Sequence, residues 1–216
     1  MLTQLTLRAN VSCVNMSPMD KPAYHHGDLR NALIAAALAA VEQDGPDAVS
    51  LRDLAQTLGV SRAAPYRHFE DRDALLAAVA ARGFEDLNIG YEAALEAPGD
   101  GRETLRQASR VYFDFADRRP GLFRLMFDSD LLARDTPPAV LIEPANQAYH
   151  LLWRAVEAAY PDADERTIKA RTITMWSTVY GFIALNRAGR FKPFMVGPLT
   201  PDEIVEEVIE AATRIG

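Results

Sequence analysis

A glycine set between two helix-starting serines places the tightest limit on how this 216-residue chain can fold. Ser50 precedes Leu51, Leu54, Ala55 and Leu58, and Asp53 stands three residues after it as a capping-box-like partner. Gly59 ends that helix where a tight turn needs positive φ, a conformation that side chains resist. Ser61 then starts a second, very short helix running through about His68. Helices joined so closely must cross sharply, and Ala55 is the small residue that such a crossing requires. The segment Leu51–Phe69 therefore has the shape of a helix-turn-helix, whose second helix characteristically enters the major groove by its N-terminal end.

Helical signals continue on both sides. Asp28 is a good N-cap for a helix with Leu29, Leu33, Ala36, Ala37, Ala40 and Val41 at helical spacing, and Asp44-Gly45-Pro46 breaks it. A fourth helix starts at or near Asp71 and carries Leu75, Leu76, Val79 and Phe84. After the loop at 97–101, helices are predicted over 102–117, from Pro120 through Phe127, and over 139–160, 164–188 and 201–215. No stretch alternates β-branched residues with period two, and no repeat of fixed period is present. The expected fold class is all-α, with a domain boundary inside or just after the fourth helix.

Composition narrows the function classes. The apolar fraction of 49% is ample for a packed core, and the longest apolar runs, such as 32–41, fall short of the roughly 20 residues of a membrane span. Cys13 is single and cannot form an internal disulfide. The first 20 residues have no basic head followed by an apolar run, so the expected location is cytoplasmic. Residues 1–20 read as a mobile tail, or as an over-extended start with Met16 or Met19 as the first residue.

The chain lacks a phosphate-cradling glycine loop, a Gly-x-Ser-x-Gly elbow and a metal-ligand cluster, which speaks against an enzyme, a metal site or a cofactor. His25 and His26 are adjacent, do not share a helix face, and read as surface residues rather than ligands. Glu42 and Asp44 near a helix end read as solvent-exposed charge. The net charge of −7 opposes phosphate binding, yet the local field on a docking face matters more than the total.

Five segments in order carry a specific resemblance: Tyr24-His25-His26-Gly27-Asp28-Leu29-Arg30, Ser50-Leu51-Arg52-Asp53-Leu54-Ala55, Leu58-Gly59-Val60-Ser61, Tyr66-Arg67-His68-Phe69 and Asp71-Arg72-Asp73-Ala74-Leu75. Together they resemble the DNA-binding domain of the TetR family of transcriptional regulators. The resemblance implies a three-helix helix-turn-helix domain at 21–80, following the tail at 1–20, and a helical ligand-binding and dimerisation domain at 81–216. By position, Arg62, Ala63 and Arg67 then face the groove, with Arg62 suited to bidentate reading of a guanine. The same resemblance implies that Tyr66, His68 and Arg72 anchor phosphates, that Ser50 and Arg52 at a helix N-terminus are placed for another, and that Ser61, the cap of the recognition helix, belongs to the DNA-binding residues. The resemblance also implies that Lys21 and Tyr24 touch the DNA backbone just ahead of the first helix. Pro65 departs from the family, which usually has leucine there, and removes an amide near the start of the recognition helix.

The C-terminal half carries Phe113, Phe123, Met126, Phe127, Trp153, Met175, Trp176 and Tyr180 on successive helices. Such residues form core first, and a ligand pocket between helices borrows part of that core. The run Met175–Gly181, with Leu185 and Gly189, resembles the Trp-x-x-x-His-Gly region of one TetR C-terminal subclass, with Tyr180 in place of histidine. The resemblance implies dimerisation through the last two long helices, and Ile204, Val205, Val208, Ile209 and Ala212 form an amphipathic stripe that suits such an interface, the favoured reading, or equally packing within one subunit. The expected function is a ligand-responsive repressor that binds a palindromic operator as a homodimer and is released by a small molecule. A helical ligand carrier leaves the Arg62–Arg72 cluster without purpose, and a DNA-binding scaffold without effector predicts no small-molecule response.

Overall fold

The computed structural model describes residues 29–214, and every regular element among them is helical. The order is α1 (Leu29–Asp44), α2 (Leu51–Thr57), α3 (Arg72–Glu96), α4 (Gly101–Arg118), α5 (Pro120–Phe127), α6 (Ala139–Ala159), α7 (Glu165–Arg187), a single turn α8 (Pro193–Val196) and α9 (Pro201–Arg214). Short 3-10 segments lie at Pro46–Ala48 and Pro65–Arg67. The helix starts follow capping chemistry. Asp71, Asp100 and Asp164 each accept a bond from the amide three residues on, at 2.7, 2.9 and 2.8 Å. Helix α8 escapes periodicity because four residues after a lysine carry no readable pattern. The expectations for residues 1–20, Lys21, Tyr24, His25, His26 and the Asp28 cap lie outside the described residues.

Helix α3 is the axis of the molecule. Residues 75–81 are buried without interruption, so this part of the helix has neighbours all round. Its contacts run in sequence along its length. Arg72 meets the loop after α1, Gly83 lies against Leu122 and Met126 of α5, Asn88 donates to the Pro144 carbonyl of α6 at 3.0 Å, and Gly90 faces Val111 of α4. The expected division at residue 80 falls in the middle of this one helix.

A second tie joins the N-terminal helices to the rest. Glu42, near the end of α1, accepts a bond from Arg119 Nε at 2.9 Å and another from the Gly121 amide at 3.0 Å. The expectation of a solvent-exposed Glu42 is corrected here: its carboxylate satisfies an orphan amide in the first turn of α5. Helix α5 also approaches α1 so closely that a Cβ on Gly121 would lie 2.2 Å from the Val41 carbonyl oxygen.

Helix α9 packs against α4 and α7. Ile209 and Ala212 are buried within the chain, while Val205 and Val208 pack partly against the core. Arg106 and Arg110 of α4 pair with Glu206 and Glu210 of α9, and the Tyr160 hydroxyl donates to the Thr213 carbonyl. The stripe expected at a subunit interface is thus engaged largely inside the subunit, because α4 and α7 already offer an apolar surface to it.

Substituting Gly121→Ala forces two backbone segments apart and is expected to lower stability by about 1–3 kcal/mol, the usual range for overpacking. Urea denaturation followed by circular dichroism measures this. A midpoint equal to that of the wild type would contradict the close α1–α5 approach.

Candidate functional site

The turn before the expected recognition segment forms as the residue types demand. Gly59 has φ +67°, its amide donates to the Gln56 carbonyl at 3.1 Å, and the Val60 amide donates to Ala55 at 3.0 Å. These are the paired bonds of a Schellman ending, with Ala55 fully buried beneath it. At the other end of α2 the Ser50 hydroxyl accepts from the Asp53 amide at 3.4 Å.

Pro65 sets the geometry of the next segment. In an α-helix capped by Ser61, the Ser61 carbonyl would accept the amide of residue 65, and proline has none. The chain tightens instead. Ala64 donates to Ser61 at 2.9 Å, Arg67 to Ala64 at 3.2 Å and His68 to Pro65 at 2.9 Å, all bonds of the i to i−3 kind. The expected Ser61–His68 α-helix is therefore corrected to a turn followed by a 3-10 segment at Pro65–Arg67.

This compact segment still has two faces. Pro65 and Phe69 point inward, and Arg30 lies over the Phe69 ring at 5.4 Å. Ser61, Arg62, Ala63, Tyr66 and Arg67 are exposed, and His68 is half-buried. Arg52 is exposed on α2 beside the half-buried Ser50. No acidic residue occurs from Leu54 to Phe69. Three nearby acids are engaged, since Asp71 caps α3, Asp73 pairs with Arg134 at 2.8 Å and Asp47 lies 3.5 Å from Arg72, while Asp53 and Glu70 bound the run as exposed acids. The outward edge is therefore locally cationic in a chain of net charge −7.

Arg72 is held differently from its neighbours. Its Nε donates to the Val49 carbonyl at 3.0 Å and its Nη2 to the Pro46 carbonyl at 2.5 Å. The guanidinium thus bridges the loop before α2 to the first turn of α3. Beside the phosphate-anchoring role expected of it, Arg72 serves in this structure as a brace. The signal that sequence could not supply is the long-range proximity of residues 46–49 to residue 72.

The eight aromatic and thioether candidates do not converge on one site. Phe127 and Trp176 line an apolar cavity of about 110 Å³ among α3, α4, α5, α6 and α7, together with Phe84, Leu87, Tyr91, Tyr112, Leu132, Ala145, Ala148, Tyr149 and Leu152. Phe123, Met126 and Met175 are buried core. Phe113 packs edge-on against Phe182 beside a groove facing α9. Trp153 lies tilted against Tyr149 beneath Lys169. Tyr180 belongs to an open cleft between α1, α5 and α7, where its hydroxyl donates to Asp128 at 2.6 Å. That carboxylate pushes the Tyr180 pKa up to about 12, so the phenol stays protonated. Sequence reasoning missed Tyr91, Tyr112 and Tyr149. The i, i+3, i+7 spacing of Phe84, Leu87 and Tyr91 on α3 was the available signal.

Comparison with known proteins accords with this geometry. The family model described as bacterial regulatory proteins, tetR family, matches residues 33–79, and the one described as tetracyclin repressor-like, C-terminal domain, matches residues 105–212. The HTH-type transcriptional activator FasR of Mycolicibacterium smegmatis is 33% identical over 101 residues, 47% of this chain and 46% of FasR. The chain thus matches about half the length of that relative. The nucleoid occlusion factor SlmA of Marinobacter nauticus is 26% identical over 137 residues, 63% of this chain and 69% of SlmA. Among solved structures, a protein of unknown function from Rhodococcus sp. RHA1 is similar with a TM-score of 0.73 and 32% identity, over 89% of this chain and 95% of that one.

The brace yields a test that separates it from a surface charge. Arg72→Ala removes two bonds to loop carbonyls and is expected to cost about 1–2 kcal/mol of stability. Arg72→Lys keeps the charge without the fork and should recover less than half of that. Thermal melts of the three proteins check this, and an unchanged Arg72→Ala melt would remove the brace.

Proposed function

The chain belongs to the TetR family of transcriptional regulators, and on that premise we propose that it is a homodimeric repressor of a palindromic operator, released by a small molecule. As a family member it is a DNA-binding regulator rather than an enzyme. The observation that carries the finer reading is the exposed, acid-free edge from Ser61 to Arg67. In this reading Arg62 reads a guanine edge, while Ala63 and Arg67 line the same groove. Tyr66, His68, Ser50 and Arg52 meet phosphates on either side. Ser61 contributes at the start of the reading segment, and Lys21 and Tyr24 reach the backbone just ahead of α1. Arg72 contributes chiefly by fixing the loop at 46–49 relative to α3, with any phosphate contact secondary.

Two copies are needed because one short reading segment covers too few base pairs, whereas a two-fold dimer reads two half-sites about one helical turn apart. The outer side of α7 suits self-association. Ile173 is 55% exposed there and is followed at one-turn spacing by Ser177 and Gly181, small residues that permit close helix approach. An effector among the C-terminal helices would act through α3, since Phe84, Leu87 and Tyr91 line the cavity and Arg72 on the same helix braces the reading unit. Tilting α3 changes the separation of the two reading edges and lowers affinity for DNA. No helix among the described residues is long and apolar enough to cross a membrane, and a DNA partner puts the protein's work in the cytoplasm. FasR is named an activator, which favours activation as the second reading. A promoter–reporter assay decides the sign.

Enrichment of random duplexes by the purified protein is expected to return an inverted repeat. On that duplex Arg62→Ala and Arg67→Ala should each weaken binding about 10- to 100-fold, corresponding to roughly 1–3 kcal/mol per lost base contact. Wild-type affinity in both variants, or no enrichment at all, would sink the reading.

A further inference from the structure

Several hollows among the described residues compete for the effector, and their chemistry differs. Three larger ones, of about 640, 530 and 340 Å³, have walls that include charged residues, such as Glu42 and Arg187 in the first, Asp114 and Arg110 in the second and Asp73 and Arg134 in the third. Another is the cavity of about 110 Å³ beneath Trp176, and its wall contains no carboxylate, ammonium, guanidinium or imidazole. From it we infer that the effector is a compact, uncharged aromatic molecule bearing one hydrogen-bonding oxygen. This deepens the proposal of effector release and rests on it.

Size sets the first limit. An apolar cavity of roughly 150 Å³ takes a benzene molecule, so this one suits a single ring with small adjustments of its wall. Charge sets the second. Burying an unpaired carboxylate or ammonium is strongly unfavourable, and no wall residue can compensate it. Shape sets the third. Phe84, Tyr91, Tyr112, Phe127 and Trp176 present ring faces and edges, which favour a flat ring by offset and edge-to-face contacts.

The polar atom has a defined partner. Trp176 Nε1 donates to the Tyr112 hydroxyl at 3.1 Å, which leaves the hydroxyl's own proton for a ligand oxygen. Burial holds that phenol far above its ordinary pKa, so it is a donor at neutral pH. Trp176 also supplies the way in. It is 39% exposed, whereas Tyr91, Tyr112 and Leu87 behind it are buried. A ligand that moves the indole aside disturbs α7 where Ile173 is exposed, so the cavity and the proposed dimer face share one residue's neighbourhood.

The probes are 4-fluorophenol and 4-fluorobenzoate, similar in size and differing in charge, followed by fluorine NMR on the full chain. Saturable binding of the phenol is expected, with the benzoate at least about tenfold weaker. Ala148→Phe fills the cavity and should weaken the phenol at least about tenfold, and the near-isosteric Tyr112→Phe, which preserves packing, should weaken it about fivefold. Equal binding of the benzoate, unchanged binding in both variants, or no saturable binding of the phenol would overturn the inference. Duplex binding by the same wild-type sample separates the two claims. A protein that binds DNA but not the phenol loses only this inference. One that binds the phenol but enriches no duplex keeps the cavity and loses the regulator reading.

Discussion

The burial of α3 along its length is the constraint on which the rest of the structure depends. Its early turns are enclosed on every side, so it cannot tilt without repacking α1, α5 or α6. One end holds Arg72 in the carbonyls of Pro46 and Val49, and the other lines the apolar cavity with Phe84, Leu87 and Tyr91. A packed interior of this kind answers a new occupant by moving elements as units rather than by deforming smoothly. The same helix therefore supplies both rigidity and a route between the two halves. The Glu42 contacts with Arg119 and Gly121 provide a second connection, from α1 directly to α5.

The reading edge arises from a missing amide. Without an N–H at Pro65, the chain after Gly59 closes on i to i−3 bonds and keeps Arg62, Tyr66 and Arg67 exposed around a short radius. Pro65 and Phe69 anchor the inner side, so the segment is a fixed surface rather than a loose loop. Its charge is legible only locally. Asp71, Asp73 and Asp47 in its vicinity cap α3 or pair with Arg134 and Arg72, which limits their competition with phosphate, while Glu70 and Asp53 at its margins stay exposed.

Much of this was legible in the residues. Gly59, Ser50 and Asp71 fixed the turn and the caps, and the alternation of breakers with apolar stripes marked the long helices, though neither α8 nor the 3-10 form of the reading segment. What was not legible depended on distance along the chain. Arg72 looks like a surface cation until residues 46–49 are brought beside it, and Glu42 looks solvated until α5 arrives. The α9 stripe shows the same limit. Periodicity tells which face of a helix is buried and never against what, so Ile209 and Ala212 read equally well as interface or as core. The candidate pocket suffered likewise, because aromatic and thioether residues on successive helices scatter over core, groove and cavity in ways that composition does not order.

The central claim is that residues 61–69, not another part of the surface, meet DNA. Backbone hydrogen exchange with and without an enriched duplex tests it most directly. Slowed exchange across 61–69 and at Val49 is expected, with the amides of α9 unchanged. Protection confined to α7 and α9, with 61–69 exchanging as in the free protein, would contradict it.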